Sequence, residues 1–200
     1  MMLPTHALSG MIISLPLFYF KPELAYIGLI SGLIGSVFPD SDMYWGHRKT
    51  LHYPVYYSVL AFLSLTAFLI YTTPATLAIS FFLIGCTIHT LSDILTAGLE
   101  LKPWKQQSKK AVYNHYSQEW IEPKHIIAYD GSKGDLAILL SLSIPLLFIL
   151  GPKSKLFVFT MVIIGIIYSL LRKKLPNIGV QLIEYIPSRY MKYVPNRYIE

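Results

Sequence analysis

The chain is dominated by long apolar stretches that contain no charged residue and no histidine. Six of them lie along its 200 residues, at 7–20, 24–38, 54–72, 75–88, 136–151 and 156–171. The sequence is 54% hydrophobic and only 14% charged, and one soluble core cannot bury six such segments. We therefore predict a membrane protein and exclude a soluble enzyme or a disordered chain. Cys86 is the only cysteine, which also excludes a disulfide-stapled secreted domain.

The predicted fold is all-α: a polytopic membrane protein with about six transmembrane helices in a bundle. About 20 helical residues cross a bilayer core of roughly 30 Å, and fewer suffice where the bilayer thins. The fourth span is predicted to run from Ala75 to Gly98, and a polar loop at 100–135 separates it from the fifth. Residues 1–175 then form one helical domain that carries the site, and residues 176–200 form a basic, tyrosine-rich tail at the membrane interface.

Small residues on the second span predict close helix packing. Gly28, Gly32 and Ser36 follow one another at intervals of four, so they lie on one face of a helix. Such a stripe lets a neighbouring helix approach closely. The alternative is that these glycines only reflect the general frequency of glycine in membrane helices.

The basic residues predict the orientation. Six spans place four segments on one side of the membrane: the N-terminus, the 39–53 loop, the 100–135 loop and the tail. This side carries fourteen of the seventeen Lys and Arg residues, and the other side carries Lys21, Lys153 and Lys155. The positive-inside rule places the larger set in the cytoplasm, in a plasma or inner membrane. Because the basic residues are spread over loops, the lipid bilayer is the predicted partner and no specific nucleic-acid binding is expected.

Histidine and aspartate residues are concentrated near the ends of the predicted spans. In the six-span arrangement seven of them fall on one side: His6, Asp40, Asp42, His47, His52, His89 and Asp93. His89 and Asp93 are four residues apart, so they share a helix face and can bind one ion. A role for His6 requires a retained N-terminus, which we expect because the first residues lack the basic cluster of a secretory signal.

These residue types predict a divalent metal site. Imidazole and carboxylate together suit zinc, manganese or iron, and seven ligands exceed one tetrahedral site, so we predict one to three ions, with zinc first and manganese second. An ionisable pair inside a span is costly unless it is paired or coordinated. Non-metal alternatives stay open at this point: an interfacial His6, helix-capping Asp40 and Asp42, loop positions for His47 and His52, and a structural hydrogen-bonded pair of His89 and Asp93.

The same residues form four blocks, Thr5–Gly10, Pro39–Asp42, His47–His52 and His89–Asp93. Their order and spacing, over about the first half of the chain, resemble those of the YdjM-like family of membrane-bound metal-dependent hydrolases. The sequence departs from the family pattern at Leu51, where the family has threonine, and at Pro103-Trp104, where it has Trp-Pro. The resemblance implies metal-dependent hydrolysis. A more remote similarity, to zinc-dependent phospholipase C and the fungal zinc nucleases, implies a phosphoester substrate.

If the site is catalytic, further residues have predicted roles. Asp42 or Asp93 is predicted to take a proton from the attacking water, and Arg48 to contact a substrate phosphate through its planar guanidinium. Five residues of the long loop are predicted to form a lid or to support the site, with an ordinary surface loop as the alternative: Tyr113, Asn114, His115, Glu119 and Trp120. The expected substrate is a lipid headgroup or a nucleotide-like phosphoester.

A non-catalytic membrane protein is the competing prediction. Transporters place ionisable groups near mid-membrane on several spans, often within internal repeats, whereas five of the six predicted spans contain no ionisable group. A scaffold with a structural metal uses the same ligand types. It predicts unfolding on chelation and no turnover, whereas a hydrolase predicts activity lost on chelation.

Overall fold

The computed structural model describes residues 1–183 and 185–194, and most of these residues are helical. The α-helices are α1 (Leu3–Ile12), α2 (Leu17–Phe20), α3 (Pro22–Val37), α4 (Pro54–Ile70), α5 (Pro74–Ile94), α6 (Lys133–Ile149), α7 (Pro152–Leu171) and α8 (Leu175–Ile183). Short 3-10 helices lie at Phe38–Tyr44, Pro103–Lys105 and Ser188–Tyr193. Strands β1 (Val112–Asn114) and β2 (Glu119–Ile121) pair as an antiparallel hairpin within the polar loop. The predicted helical class is confirmed, while the end of the predicted tail, 195–200, lies outside the described residues.

Four helical stretches are long and apolar enough to cross a membrane: Leu3–Phe20, Pro22–Met43, Pro74–Ile94 and Pro152–Leu171. The helix α4 is apolar but has only 17 residues, and α6 also has 17. All six apolar stretches of the sequence are therefore largely helical, but the count of six spans stays a prediction.

Prolines and hydroxyl caps determine where these helices begin. A proline stands in the first turn of α1, α3, α4, α5 and α7, where its missing N–H is not needed and its φ is already helical. Thr73 caps α5 by accepting a hydrogen bond from the Thr76 N–H. The helix α5 ends at Ile94 rather than at the predicted Gly98, because the Leu95 and Thr96 N–H groups bond to the carbonyls of Ser92 and Asp93 in tighter turns.

Glycines bring α1, α3 and α5 into backbone contact. A Cβ at Gly10 would overlap the carbonyl oxygen of Gly32 and the side chain of Ser36, and one at Gly85 would lie 2.6 Å from that same Gly32 oxygen. No side chain larger than hydrogen fits at Gly10 or Gly85. The close approach predicted for the Gly32 and Ser36 face is therefore confirmed.

The hairpin of α6 and α7 packs on the other side of α1. Buried side chains from these helices and α3 form one apolar cluster: Met2, Leu8, Met11, Leu15, Leu29, Leu139, Leu146, Leu150 and Val158. The start of α6 is tied to the start of α1, because Asp135 accepts hydrogen bonds from the Met2 N–H and the Thr5 hydroxyl, both at 2.7 Å. The bundle therefore has one end at which α1 and α6 begin.

Candidate metal centre

All seven predicted site residues lie at this end of the bundle and are linked by contacts between their side chains. His6 lies within α1 rather than before it. Asp40 and Asp42, expected in a loop, lie on the 3-10 helix that continues α3, because a 3-10 turn commonly tightens a helix end. His47 and His52 lie in the connection to α4, and His89 and Asp93 lie in the last turns of α5.

Four of the seven residues form one compact group of ligand atoms, which we call the four-residue group: Asp40, His52, His89 and Asp93. One ligand atom from each lies within 4.8 Å of the others. The His89 Nε2 atom lies 3.4 Å from Asp40 Oδ1, 3.2 Å from His52 Nε2 and 3.6 Å from Asp93 Oδ2. Two ligands of a tetrahedral zinc ion are about 3.4 Å apart, and the three distances from His89 Nε2 are close to this value. The 3.6 Å approach also confirms that His89 and Asp93 share a helix face.

Hydrogen bonds determine which nitrogen of each imidazole can bind a metal. The Nδ1–H of His89 donates to the Ser36 carbonyl at 2.6 Å, because a carbonyl can only accept. The Nδ1–H of His52 donates in the same way to Asp42 Oδ2 at 3.0 Å. Each neutral ring then carries its lone pair on Nε2, and these two atoms are 3.2 Å apart. Two facing lone pairs at this distance require a cation between them, either a proton or a metal ion.

Asp42 uses both of its oxygens within the protein. Its Oδ2 accepts from His52 and from the Leu51 N–H at 3.0 Å, and its Oδ1 accepts from His47 Nδ1 at 3.2 Å. The side chain is fully buried. Asp42 thus stands behind His52 in the carboxylate–histidine arrangement that commonly orients a metal-binding imidazole. The backbone donor at Leu51 needs no particular side chain, so the departure from the family's threonine leaves this contact intact.

His6 contacts the four-residue group from α1. Its ring stacks on that of His89, with centroids 3.8 Å apart, and its Nε2 lies 3.2 Å from Asp93 Oδ1. This nitrogen is buried and has no hydrogen-bond partner among the described residues. The same Asp93 oxygen also lies 2.7 Å from the N-terminal amino group. A buried nitrogen without a partner is unusual, and it fits a site that holds a cation beside Asp93.

Arg48 is held in an uncommon backbone conformation beside the group. Its φ of 61° is left-handed, which is rare for a residue with a side chain and often accompanies a functional site. Its Nη1–H donates to the Ala97 carbonyl at 2.7 Å, while its Nε lies 3.2 Å from Asp93 Oδ2 without a hydrogen bond. The guanidinium is thus fixed at the site by α5 and by the turn that follows it.

The hairpin supports the segment that carries Arg48. The Tyr113 N–H donates to the Arg48 carbonyl at 2.9 Å, and the His115 Nε2–H donates to the Lys49 carbonyl at 2.7 Å. Trp120 faces Tyr113 across the hairpin. Of the five loop residues predicted as lid or support, Tyr113 and His115 therefore contact the site segment directly, and Trp120 backs them. Asn114 instead accepts from the Tyr116 N–H, and Glu119 is exposed.

Two histidines outside the apolar helices have shifted pKa values. Burial lowers the pKa of His47 below its usual 6.5, and the hydrogen bond with Asp42 offsets this only in part. Burial also acts to lower the pKa of His52, but its contacts with Asp42 and Asp93 outweigh burial, and the pKa is raised. In the metal-free protein a proton on His52 can therefore occupy the place between the two Nε2 atoms.

A cavity of about 470 Å³ adjoins the four-residue group. Its inner end is lined by Asp40, His47, Arg48 and Asp93, and it extends outward between α1, α7 and α8. Volumes of this size hold small-molecule ligands. The group is thus buried but reachable from one side.

Sequence reasoning overlooked one residue that positions this site. Asp135 is buried and accepts from the Gly131 N–H in addition to Met2 and Thr5, so it fixes the segment that leads into His6. In the sequence it is an ordinary acidic residue in the first turn of a helix, favourable there because of the helix dipole. Only the approach of α1 shows its second role.

Apolar helices able to span a membrane, together with a buried histidine–aspartate group, define a membrane protein with a candidate metal site. Residues 1–177 match the YdjM inner membrane protein family, so the chain belongs to that family, as its four blocks predicted. No curated protein and no solved structure matches the chain.

Proposed function

We propose that this protein is a membrane-bound, metal-dependent hydrolase that acts on a phosphoester. The observation that carries the proposal is the convergence of two imidazole lone pairs and two carboxylates at the inner end of a ligand-sized cavity. A purely structural zinc site usually fills all four positions with cysteine-rich ligands and is closed. Here the ligands include no cysteine, and two of them line a cavity.

The four-residue group is proposed to hold the ion, with zinc the first candidate and manganese the second. His6, with its unpartnered Nε2 beside Asp93, is the residue best placed to contribute to a second ion. A bound divalent ion can lower the pKa of a coordinated water from about 15.7 to near 7, which supplies hydroxide at neutral pH. The predicted range of one to three ions is kept.

His47 is the proposed proton acceptor. Its Nδ1–H donates to Asp42, which leaves the Nε2 lone pair free to accept a proton, and the residue lines the cavity. Asp42, predicted as a ligand or as the proton acceptor, is instead proposed to orient His47 and His52, since both its oxygens are engaged. Asp93 is proposed as a ligand rather than a base.

Arg48 is the proposed phosphate-binding residue. It is 8% exposed and lines the cavity, its Nε lies 3.2 Å from Asp93 Oδ2 and its Nη1 donates to the Ala97 carbonyl, so its remaining N–H groups are the proposed donors to a phosphate oxygen. In the overall reaction, the oxygen of water bonds to phosphorus and the P–O bond to the alcohol breaks. The proton lost by water ends on the alcohol oxygen, so water is the only co-reactant.

The proposed topology keeps six spans, with α4 and α6 crossing as short helices. The site and the basic loops then lie on the same side of the membrane, and the excess of Lys and Arg residues assigns this side to the cytoplasm. The polypeptide segments that carry the site all lie at one end of the bundle, which supports a single-sided site.

The test is hydrolysis of methyl p-nitrophenyl phosphate by detergent-purified protein, before and after chelation and with zinc or manganese restored. We expect turnover that is lost on chelation, regained with metal, and lost in His89→Ala. The matched variant His125→Asn removes an imidazole outside the four-residue group, and asparagine tolerates the left-handed φ of 52° at that position, so it should retain activity. Unfolding on chelation with no turnover in any metal would instead support the scaffold.

A further inference from the structure

The cavity beside the four-residue group has two chemically different ends. The inner end carries Asp40, His47, Arg48 and Asp93. The rest of the lining combines apolar side chains, among them Leu3, Leu101, Ile164 and Leu175, with Glu100 and the ion pair of Asp130 and Arg172. A ligand that fills this space therefore needs a charged part next to an apolar part.

The apolar wall reaches into a membrane-spanning helix. Ile164 precedes the end of α7, at Leu171, by seven residues, which is about 10 Å along the helix axis. Most of α7 is not covered by the rest of the protein, since only 11% of its apolar window is buried, so this helix faces lipid. Leu3, on α1, is also 50% exposed and Ile164 is 44% exposed. The cavity is thus bordered by exposed apolar side chains of two helices that are able to span a membrane.

The position of Arg48 indicates where an anionic group would bind in the cavity. Its guanidinium is buried and lies next to Asp93, with its Nε 3.2 Å from Asp93 Oδ2. Beyond the cavity, α7 is followed by Lys173 and Lys174 and then by the apolar start of α8, while Arg172 is ion-paired with Asp130. Basic residues at this level attract anionic headgroups. An anionic group is therefore favoured at the polar level, with a hydrocarbon chain along the membrane-facing wall.

We propose that the substrate is a lipid phosphoester that enters from the bilayer. Its phosphate binds at Arg48 beside the four-residue group, and its chain lies along the wall formed by Leu3 and Ile164. This inference rests on the proposed hydrolase function and narrows its substrate. A cavity of about 470 Å³ holds a headgroup and the first part of a chain, and the rest of the chain stays in the bilayer. A soluble nucleotide has no hydrocarbon chain to cover this apolar wall.

The first test measures binding without turnover. Radiolabelled hexadecylphosphonate, which has no ester bond to hydrolyse, is added to lipid nanodiscs that contain the full-length protein, and retention is compared with that of empty nanodiscs. Ile164→Trp fills the wall and should lower specific retention at least tenfold. Ile167→Trp is the matched control, since Ile167 is 51% exposed on the same helix and does not line the cavity, and it should behave as wild type. Retention equal to empty nanodiscs, or equal in both variants, would overturn the proposal.

The second test separates this inference from the hydrolase proposal. Hexadecyl and methyl p-nitrophenyl phosphate share one leaving group and differ only in the chain. We expect kcat/KM at least tenfold higher for the hexadecyl ester, with that preference lost in Ile164→Trp. Metal-dependent turnover of both esters at equal rates would overturn the lipid inference and leave the hydrolase intact. No turnover of either ester by metal-loaded protein would overturn the hydrolase, and phosphonate retention alone would then decide whether the cavity binds lipid.

Discussion

Replacing Asp42 by asparagine tests whether this buried carboxylate controls metal binding without touching the metal. Asp42 accepts the Nδ1–H of His52 at 3.0 Å and so places the His52 lone pair on Nε2. Asparagine has one acceptor oxygen where Asp42 has two, so it cannot accept from His52, His47 and the Leu51 N–H in the present arrangement, and it removes the negative charge that raises the basicity of the His52 ring. Loss of such a supporting residue typically lowers metal affinity 10- to 100-fold, which is about 1.4–2.7 kcal/mol.

The assay is zinc affinity in detergent, measured by competition with a chromogenic chelator. Asp130→Asn is the matched control, because Asp130 pairs with Arg172 at 2.7 Å and contacts none of the four ligands. We expect wild-type affinity in Asp130→Asn and a fall of at least tenfold in Asp42→Asn, with both proteins still folded. An unchanged affinity in folded Asp42→Asn would show that the Asp42 carboxylate does not support metal binding by His52, and the reasoning would fail.

Three further predictions concern packing, anchoring and pH. Gly32→Ala should destabilise the protein by about 1–3 kcal/mol, because the new Cβ would overlap the Gly10 backbone. Gly134→Ala is the control and should change stability little, because the nearest atom to its Cβ is 3.8 Å away. Thermal unfolding in detergent compares the two variants. Asp135→Ala should cost about 1–3 kcal/mol in the same assay, because it leaves the buried donors at Met2, Thr5 and Gly131 without an acceptor; an unchanged midpoint would contradict this. Zinc affinity should fall on acidification, starting above pH 6.5, because the raised pKa of His52 lets a proton compete with the ion. Without metal, the proton on His52 instead stabilises the fold below pH 6.5, and this stabilisation is lost as pH rises through the raised pKa, while the lowered pKa of His47 acts in the opposite direction. Zinc affinity at pH 6 and pH 8 therefore tests the prediction, and equal affinities would contradict it.

Local patterns in the sequence predicted the parts of this structure that depend on short separations. The helices followed from uncharged runs, and the shared face of His89 and Asp93 followed from their spacing of four. The sequence did not predict which aspartate is a candidate ligand and which supports a histidine. Asp40 and Asp42 are two residues apart on a 3-10 helix, and their roles depend on the positions of His52 and His89, which belong to other segments. The contact of Asp135 with Met2, just before α1, spans 133 residues, and no local pattern reports it. The left-handed backbone of Arg48 was also not predicted, because a hairpin more than sixty residues away in the sequence supports this segment.

Metal content per chain tests the central claim most directly. Elemental analysis of detergent-purified protein, prepared without chelator and equilibrated with zinc, compares wild type with the His89→Ala, Asp93→Ala double variant and with His125→Asn. We predict at least one zinc ion per chain in wild type and in His125→Asn, and loss of that ion in the folded double variant. Wild-type protein without zinc, or a double variant that keeps its full complement, would contradict the assignment of the four-residue group as a metal centre.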